Sequence, residues 1–266
     1  MKIRLISAIV ALTIFIPILL AGGWIFDIAV CVLAILALKE FMDIKETKKK
    51  IPEFMKFVSY LLIVLFVLFN LSNNENVFAI DYKIVSALIL GCLLPVIVYH
   101  DRKFYSINDA FYLIGGIFFL GTSFSLFTLL RNAGLTFVVY LLLITIITDT
   151  YAYITGMLIG RHKLLPEVSP KKTWEGSIGG TVMGTLVGVC YYVTVIDPNV
   201  SMVGIILTTV FLSILGQFGD LVFSSIKRYF GKKDFSQIMP GHGGILDRLD
   251  SIIFVVLGFM FFMNLL

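Results

Sequence analysis

Nine apolar runs, most of them long enough to cross a bilayer, constrain this chain more than any other feature. They lie near residues 4–21, 24–41, 54–71, 81–99, 109–130, 134–159, 175–196, 201–226 and 248–266, divided by charged or Gly/Asn/Pro-containing connections. A spanning helix needs about 20 apolar residues. Hydrophobic residues make up 59% of the 266, and charged residues only 14%. A soluble domain carries about 25% charged residues, so one soluble core cannot bury this excess and lipid must be the solvent. The expected fold is all-α, a polytopic transmembrane helix bundle of about nine spans. The second run is short, and Asp81 with Lys83 blurs the start of the fourth. Lys2 and Arg4 followed by an apolar run to Leu20 fit either a signal peptide or a first spanning helix. The further spans favour an uncleaved anchor.

The basic residues order these spans. Alternate connections hold Lys2 and Arg4; Lys39, Lys45, Lys48, Lys49, Lys50 and Lys56; Arg102 and Lys103; Arg161, Lys163, Lys171 and Lys172; then Lys227, Arg228, Lys232, Lys233 and Arg248. Nineteen of the 21 Lys and Arg residues thus fall on one side, leaving Lys83 and Arg131 for the other. The positive-inside rule makes the rich side cytoplasmic, with the N-terminus inside and the C-terminus outside. Cys31, Cys92 and Cys190 each stand alone in an apolar segment, without a CxxC or Cys/His pattern. They read as packing residues and support neither a zinc site nor a disulfide framework.

The polar groups are unevenly spread. Residues 1–133 lack a long loop rich in both Gly and charge, and their Lys45–Lys50 stretch reads as a solvated, lipid-facing basic turn. They are expected to serve as scaffold or dimerisation helices. Residues 134–266 hold two long cytoplasmic polar loops and two acids within apolar helices, so this half is expected to be catalytic.

The richest segment, 224–250, reads SSIKRYFGKKDFSQIMPGHGGILDRLD. Basic side chains beside Gly-rich backbone suit phosphate. Carboxylates beside them suit a divalent cation that neutralises that phosphate. Asp149 and Asp220 lie inside apolar runs, where a charge costs at least ~2.5 kcal/mol on insertion scales. Each carries a function, or else Asp149 makes a structural hydrogen bond to a neighbouring helix and Asp220 a buried ion pair. Gln217, Asp220 and Ser224 share one helical face, and Gly216 and Gly219 permit close packing. Asp247 and Asp250 open the last run on a common face; helix capping is an alternative role for one of them. In the other polar loop, Ser169, Pro170, Lys171, Lys172 and Thr173 precede a Gly-rich helix start, a weak phosphate signal by itself. The Walker A order is absent. His242 sits among three glycines and either contacts phosphate or shapes the loop.

These residues resemble the phosphatidate cytidylyltransferase (CDP-diacylglycerol synthase) family. The similarity lies in Ser224, Ile226, Lys227, Arg228, Lys233, Asp234, Ser236, Pro240, His242, Gly243, Gly244, Asp247, Arg248 and Asp250, in that order and spacing. Met239 replaces the usual Leu, an apolar exchange. Asp149 through Tyr153 and Ser169 through Gly176 resemble the family as well, so the matched stretches are roughly 145–180 and 215–252. The resemblance implies a Mg²⁺-dependent reaction of CTP with phosphatidate, giving CDP-diacylglycerol and pyrophosphate. In the roles that follow from it, Asp220, Asp247 and Asp250 hold the metal, with Asp149 organising a second cation or a basic side chain. Lys227, Arg228 and His242 join the catalytic set. Ser169, Lys171, Lys172, Thr173, Lys233, Asp234, Gly243, Gly244 and Arg248 bind the substrates.

The expected partners are CTP and membrane phosphatidate, not nucleic acid, and the apolar N-terminal helices offer a homodimer face. The expected location is a bacterial inner (plasma) membrane, with the active site facing the cytoplasm. Two other readings stand beside this one. A CTP-dependent transferase or kinase acting on another lipid would use the same groups. A cation transporter would use Asp149 and Asp220 as an ion path, but it leaves the basic Gly-rich loop unexplained, and no inverted repeat is visible.

Overall fold

Residues 2–69, 81–239, 241 and 243–262 are described by a computed structural model, and helices occupy nearly all of the apolar runs. These are α1 (Lys2–Ala21), α2 (Gly23–Glu46), α3 (Glu53–Phe69), α4 (Tyr82–Val98), α5 (Ile107–Ala133), α6 (Leu135–Ile159), α7 (Trp174–Tyr191), α8 (Met202–Tyr229) and α9 (Leu246–Phe262). The expected ends of the third and ninth runs, at 70–71 and 263–266, and the residues Pro240 and His242 lie outside the described residues. The all-α expectation needs one addition. The loop after α6 folds back as an antiparallel hairpin of β1 (Lys163–Leu165) and β2 (Ser169–Thr173). Thr173 then caps α7 by accepting a hydrogen bond from Gly176 N at 3.1 Å.

Among the described residues, α5, α6, α8 and α7 with its π-helical extension (Tyr192–Ile196) are long and apolar enough to cross a membrane. Ile9–Ala21 and Tyr82–Val98 are shorter apolar helices. Large apolar side chains also face outward, as Ile178, Val182 and Leu186 do at one-turn intervals along α7. A soluble fold would bury such a stripe, whereas lipid solvates it. The protein is therefore a helical membrane protein.

The chain divides into two compact units, one of residues 1–132 and 234–247, the other of residues 133–233 and 248–266. In the first, Val30, Ala34, Ala37 and Leu38 of α2 are buried with Ile63 and Phe66 of α3 and Leu113 and Ile117 of α5. Phe41 and Tyr112 stack with centroids 4.5 Å apart, and Tyr112 Oη donates to the Phe41 carbonyl at 2.6 Å. Buried Asp109, at the start of α5, pairs with Lys45 and Lys49 near the end of α2. Arg131 closes the other end of α5 onto α1, donating to the carbonyls of Leu19 (2.7 Å) and Leu20 (3.0 Å). Those carbonyls have no intrahelical donor at a helix C-terminus.

In the second unit α6 and α7 pack most extensively. Gly176, Gly180, Gly184 and Gly188 form the buried stripe of α7, one glycine per turn. A Cβ at Gly180 would stand 2.5 Å from the Thr148 carbonyl oxygen, and one at Gly176 would stand 2.6 Å from that of Ala152. The two backbones touch because the stripe has no side chains, as small-residue motifs in membranes allow. Polar bonds then join α6 to α8: Tyr140 Oη with Thr209 Oγ1 at 2.7 Å, and Thr148 Oγ1 with Ser213 Oγ at 2.8 Å. These put the polar turn of α8 beside the middle of α6.

Candidate active site

Asp220 is the centre of the polar cluster in the second unit. It sits where α8 leaves its apolar segment, and Ser224, one turn later, donates to its Oδ1 at 3.2 Å. Gln217, one turn earlier, is buried and donates through Nε2 to Thr181 Oγ1 at 2.9 Å and to the Ser177 carbonyl at 3.4 Å. The shared face expected of these three residues is thus present, with Gln217 tying α8 to α7. From β2, Lys172 Nζ reaches Asp220 Oδ2 at 2.6 Å and the Gln217 carbonyl at 3.5 Å. The paired strand, ending at the Thr173 cap, carries Lys172 to α8.

Two further carboxylates join Asp220. Asp149 of α6 keeps solvent access, although Ser251, Lys172 and Asp220 surround it, and Ser251 hydrogen-bonds to it. Asp250 of α9 lies within electrostatic reach of Asp220, Asp149 and Lys227. The close approach of α8 and α9 depends on Gly219, where a Cβ would come 2.6 Å from the Asp250 carbonyl oxygen. Asp149, Asp220 and Asp250 therefore face Lys172 and Lys227, three carboxylates against two ammonium groups. The carboxylates repel one another, and the two ammonium groups offset part of that charge. Among the described residues no group of three or more His, Cys, Asp or Glu side chains stands in ligand geometry. Asp220 and Asp250 would be the carboxylates to hold a cation that completes its shell with other oxygens.

The remaining expected residues are distributed as follows. Lys171, Lys233 and Arg248 are exposed. Arg228 is exposed too, its guanidinium donating to the carbonyls of Lys232 (3.0 Å) and Val168 (3.4 Å), which links the hairpin turn to the end of α8. Ser169 opens β2 and is half-buried, whereas Thr173 is buried as the α7 cap. In the first unit, Asp247 accepts from Phe235 N (3.0 Å) and Gly244 N (2.9 Å), and Asp234 accepts from Gln237 Nε2 at 3.4 Å. Gly243 pairs with Met239 through two backbone hydrogen bonds, at a φ of 87° that favours glycine.

Sequence reasoning missed Gln217's anchoring bonds, Ser251 and Glu40. Ser251 sits next to Asp250, a small polar residue in an apolar helix, and that was the available signal. Glu40 is wholly buried and accepts from Ser236 Oγ, Ile245 N and Leu246 N. It stands beside Lys39 at the end of an apolar run, and its partners are about 200 positions away, so no local pattern marks it.

Residues 2–266 match the cytidylyltransferase family. A phosphatidate cytidylyltransferase of Staphylococcus haemolyticus is 39% identical over 256 residues, covering 96% of both chains. Proteins of the same description from Staphylococcus saprophyticus and Staphylococcus aureus are 37% and 36% identical, again over 96% of each chain. The chain belongs to the cytidylyltransferase family.

Proposed function

We propose that this protein is an integral-membrane phosphatidate cytidylyltransferase of phospholipid biosynthesis. The observation that carries this reading is its likeness, across 96% of its length, to relatives bearing that description. In the reaction a phosphate oxygen of phosphatidate attacks the α-phosphorus of CTP. A new P–O bond forms, the α–β phosphoanhydride bond breaks, and pyrophosphate leaves with the electron pair.

Both reactants are anions, so repulsion dominates the barrier, and groups that neutralise and orient phosphate lower it. Lys172, Lys171 and Lys227 bind and orient the phosphates, assisted by Arg228, Lys233 and Arg248. Asp220 and Asp250 would hold Mg²⁺, and the family motif adds Asp247. When bound, that ion supplies charge neutralisation and a template for the phosphate oxygens. Asp149 holds the neighbouring ammonium or a second cation. Half-buried Asp220 also keeps Lys172 oriented before phosphate arrives.

The reading extends to topology. Nine spans with an inside N-terminus put nineteen of the 21 basic residues, and both polar loops, on the cytoplasmic face of a bacterial plasma membrane. CTP then enters from the cytoplasm and lipid from the inner leaflet. The deciding experiment incubates purified protein with CTP and phosphatidate, with Mg²⁺ or with EDTA. The expected products are CDP-diacylglycerol and pyrophosphate, formed only with the metal. Release of CDP would indicate a kinase, and lack of nucleotide consumption would overturn the reading.

A further inference from the structure

Glu40 lies in α2, and its side chain has no solvent exposure. Ser236 Oγ donates to its Oε1 at 2.5 Å, Ile245 N to Oε1 at 2.9 Å, and Leu246 N to Oε2 at 2.9 Å. Every one of these groups is a donor, which is what an acceptor-only carboxylate requires. The Ile245 and Leu246 amides belong to the start of α9, where no intrahelical acceptor exists. A side chain about 200 positions away in sequence thus caps that helix, with a charge sign that favours its N-terminus. Asp247 grips the same segment through the amides of Phe235 and Gly244. The two carboxylates divide consecutive amides between them: Gly244 goes to Asp247, Ile245 and Leu246 to Glu40. Gly244 is required beside Glu40, because a Cβ there would stand 2.5 Å from Oε1 and 2.6 Å from Oε2. Ser236 is likewise fitted, since it donates to Glu40 and accepts from Ile238 N at 3.2 Å.

We propose that Glu40 is a positioning residue for nucleotidyl transfer, fixing Ser236 and the Gly244–Leu246 segment and, through that segment, the placement of the Asp247 carboxylate. This rests on the cytidylyltransferase reading, in which Asp247 is a metal ligand. All three donors to Glu40 come from the loop and the first residue of α9, so the bonds govern the shape of that segment. Supporting groups of this kind are typically worth about 10–100-fold in metal affinity or activity.

The test uses the full chain in detergent, as wild type, Glu40→Gln and Ser236→Ala. Glutamine keeps the volume but turns an NH₂ group toward a donor. Two quantities are read: turnover as a function of Mg²⁺ concentration, and the rate of trypsin cleavage after Lys233, at the exposed edge of the loop. E40Q is expected to lower kcat about 10–100-fold, raise the Mg²⁺ concentration for half-activity and accelerate cleavage. S236A keeps both amide bonds and should move all three readouts the same way by less. Wild-type kcat and Mg²⁺ response in E40Q would overturn the proposal. So would losses that merely track the folded fraction, with Mg²⁺ response and cleavage unchanged. An inactive wild type would overturn the parent reading and with it the catalytic role, whereas the cleavage difference decides separately whether Glu40 holds the loop.

Discussion

Lys172 Nζ stands 2.6 Å from Asp220 Oδ2, joining the hairpin to the polar turn of α8. Their side chains are 27% and 31% exposed, so water screens the pair. Exposed ion pairs contribute about 0–1 kcal/mol. Lys172 therefore loses little on leaving Asp220 for an incoming phosphate. Lys172→Ala should keep stability within about 1 kcal/mol yet cut kcat/KM by about 10²-fold. Lys172→Arg should recover part of the loss. Thermal unfolding in detergent and pyrophosphate release check the two halves, and a K172A enzyme of normal activity would remove Lys172 from the site.

Asp220 and Asp247 are each expected to be indispensable for different local reasons. Asp220 is embedded among ammonium groups and carboxylates; Asp247 is bound by two loop amides. Asn at either position preserves shape while deleting the charge a cation needs. Turnover should fall by at least about 10²-fold with the protein still folded in the membrane. Near-normal turnover in either variant would dismiss that residue as a metal ligand.

The glycine stripe of α7 gives a purely structural prediction. Gly180→Leu inserts a side chain whose first atom would lie 2.5 Å from the Thr148 carbonyl oxygen. Overpacking typically costs about 1–3 kcal/mol, and here it must push α7 from α6. The melting temperature should drop, and activity should fall with the folded fraction. An unchanged melting curve would contradict the described α6–α7 contact.

Asp109 tests a buried ion pair of the first unit, none of whose members is assigned to the phosphate chemistry. It is 5% exposed and Lys45 8%, and Lys49 joins them. Removing one member of such a pair leaves an uncompensated buried charge, at about 3–5 kcal/mol. Asp109→Ala should lower the unfolding free energy by that amount while sparing the specific activity of the folded fraction. Denaturant titration in micelles, paired with the turnover assay, makes the comparison.

How much of this was legible in the sequence follows from length scales. Runs of about 20 apolar residues are unambiguous in lipid, so every expected helix has its counterpart. Helix ends were less visible. The second apolar run ends at 41, but α2 continues to Glu46, where Glu40 and Lys45 are buried by partners distant in sequence. The hairpin escaped notice because its strands have three and five residues, rich in Lys and containing Pro170. Its order comes from backbone pairing and the Thr173 cap, not from apolar alternation. Asp149 and Asp220 stood out because charge in an apolar run is costly, and Asp250 because it shares the opening face of the last run with Asp247. Gln217 and Ser251 carry no charge and gave no such signal.

The bond between Glu40 and Leu246 spans 206 positions of sequence. During synthesis α2 is complete long before its acceptor oxygens meet Ser236, Ile245 and Leu246. Until then the nascent chain carries an acidic group whose hydrogen-bonding complement has yet to leave the ribosome. Translation order thus makes maturation of the 234–246 loop a late event: a product ending short of residue 236 lacks every one of those donors and cannot adopt the finished arrangement.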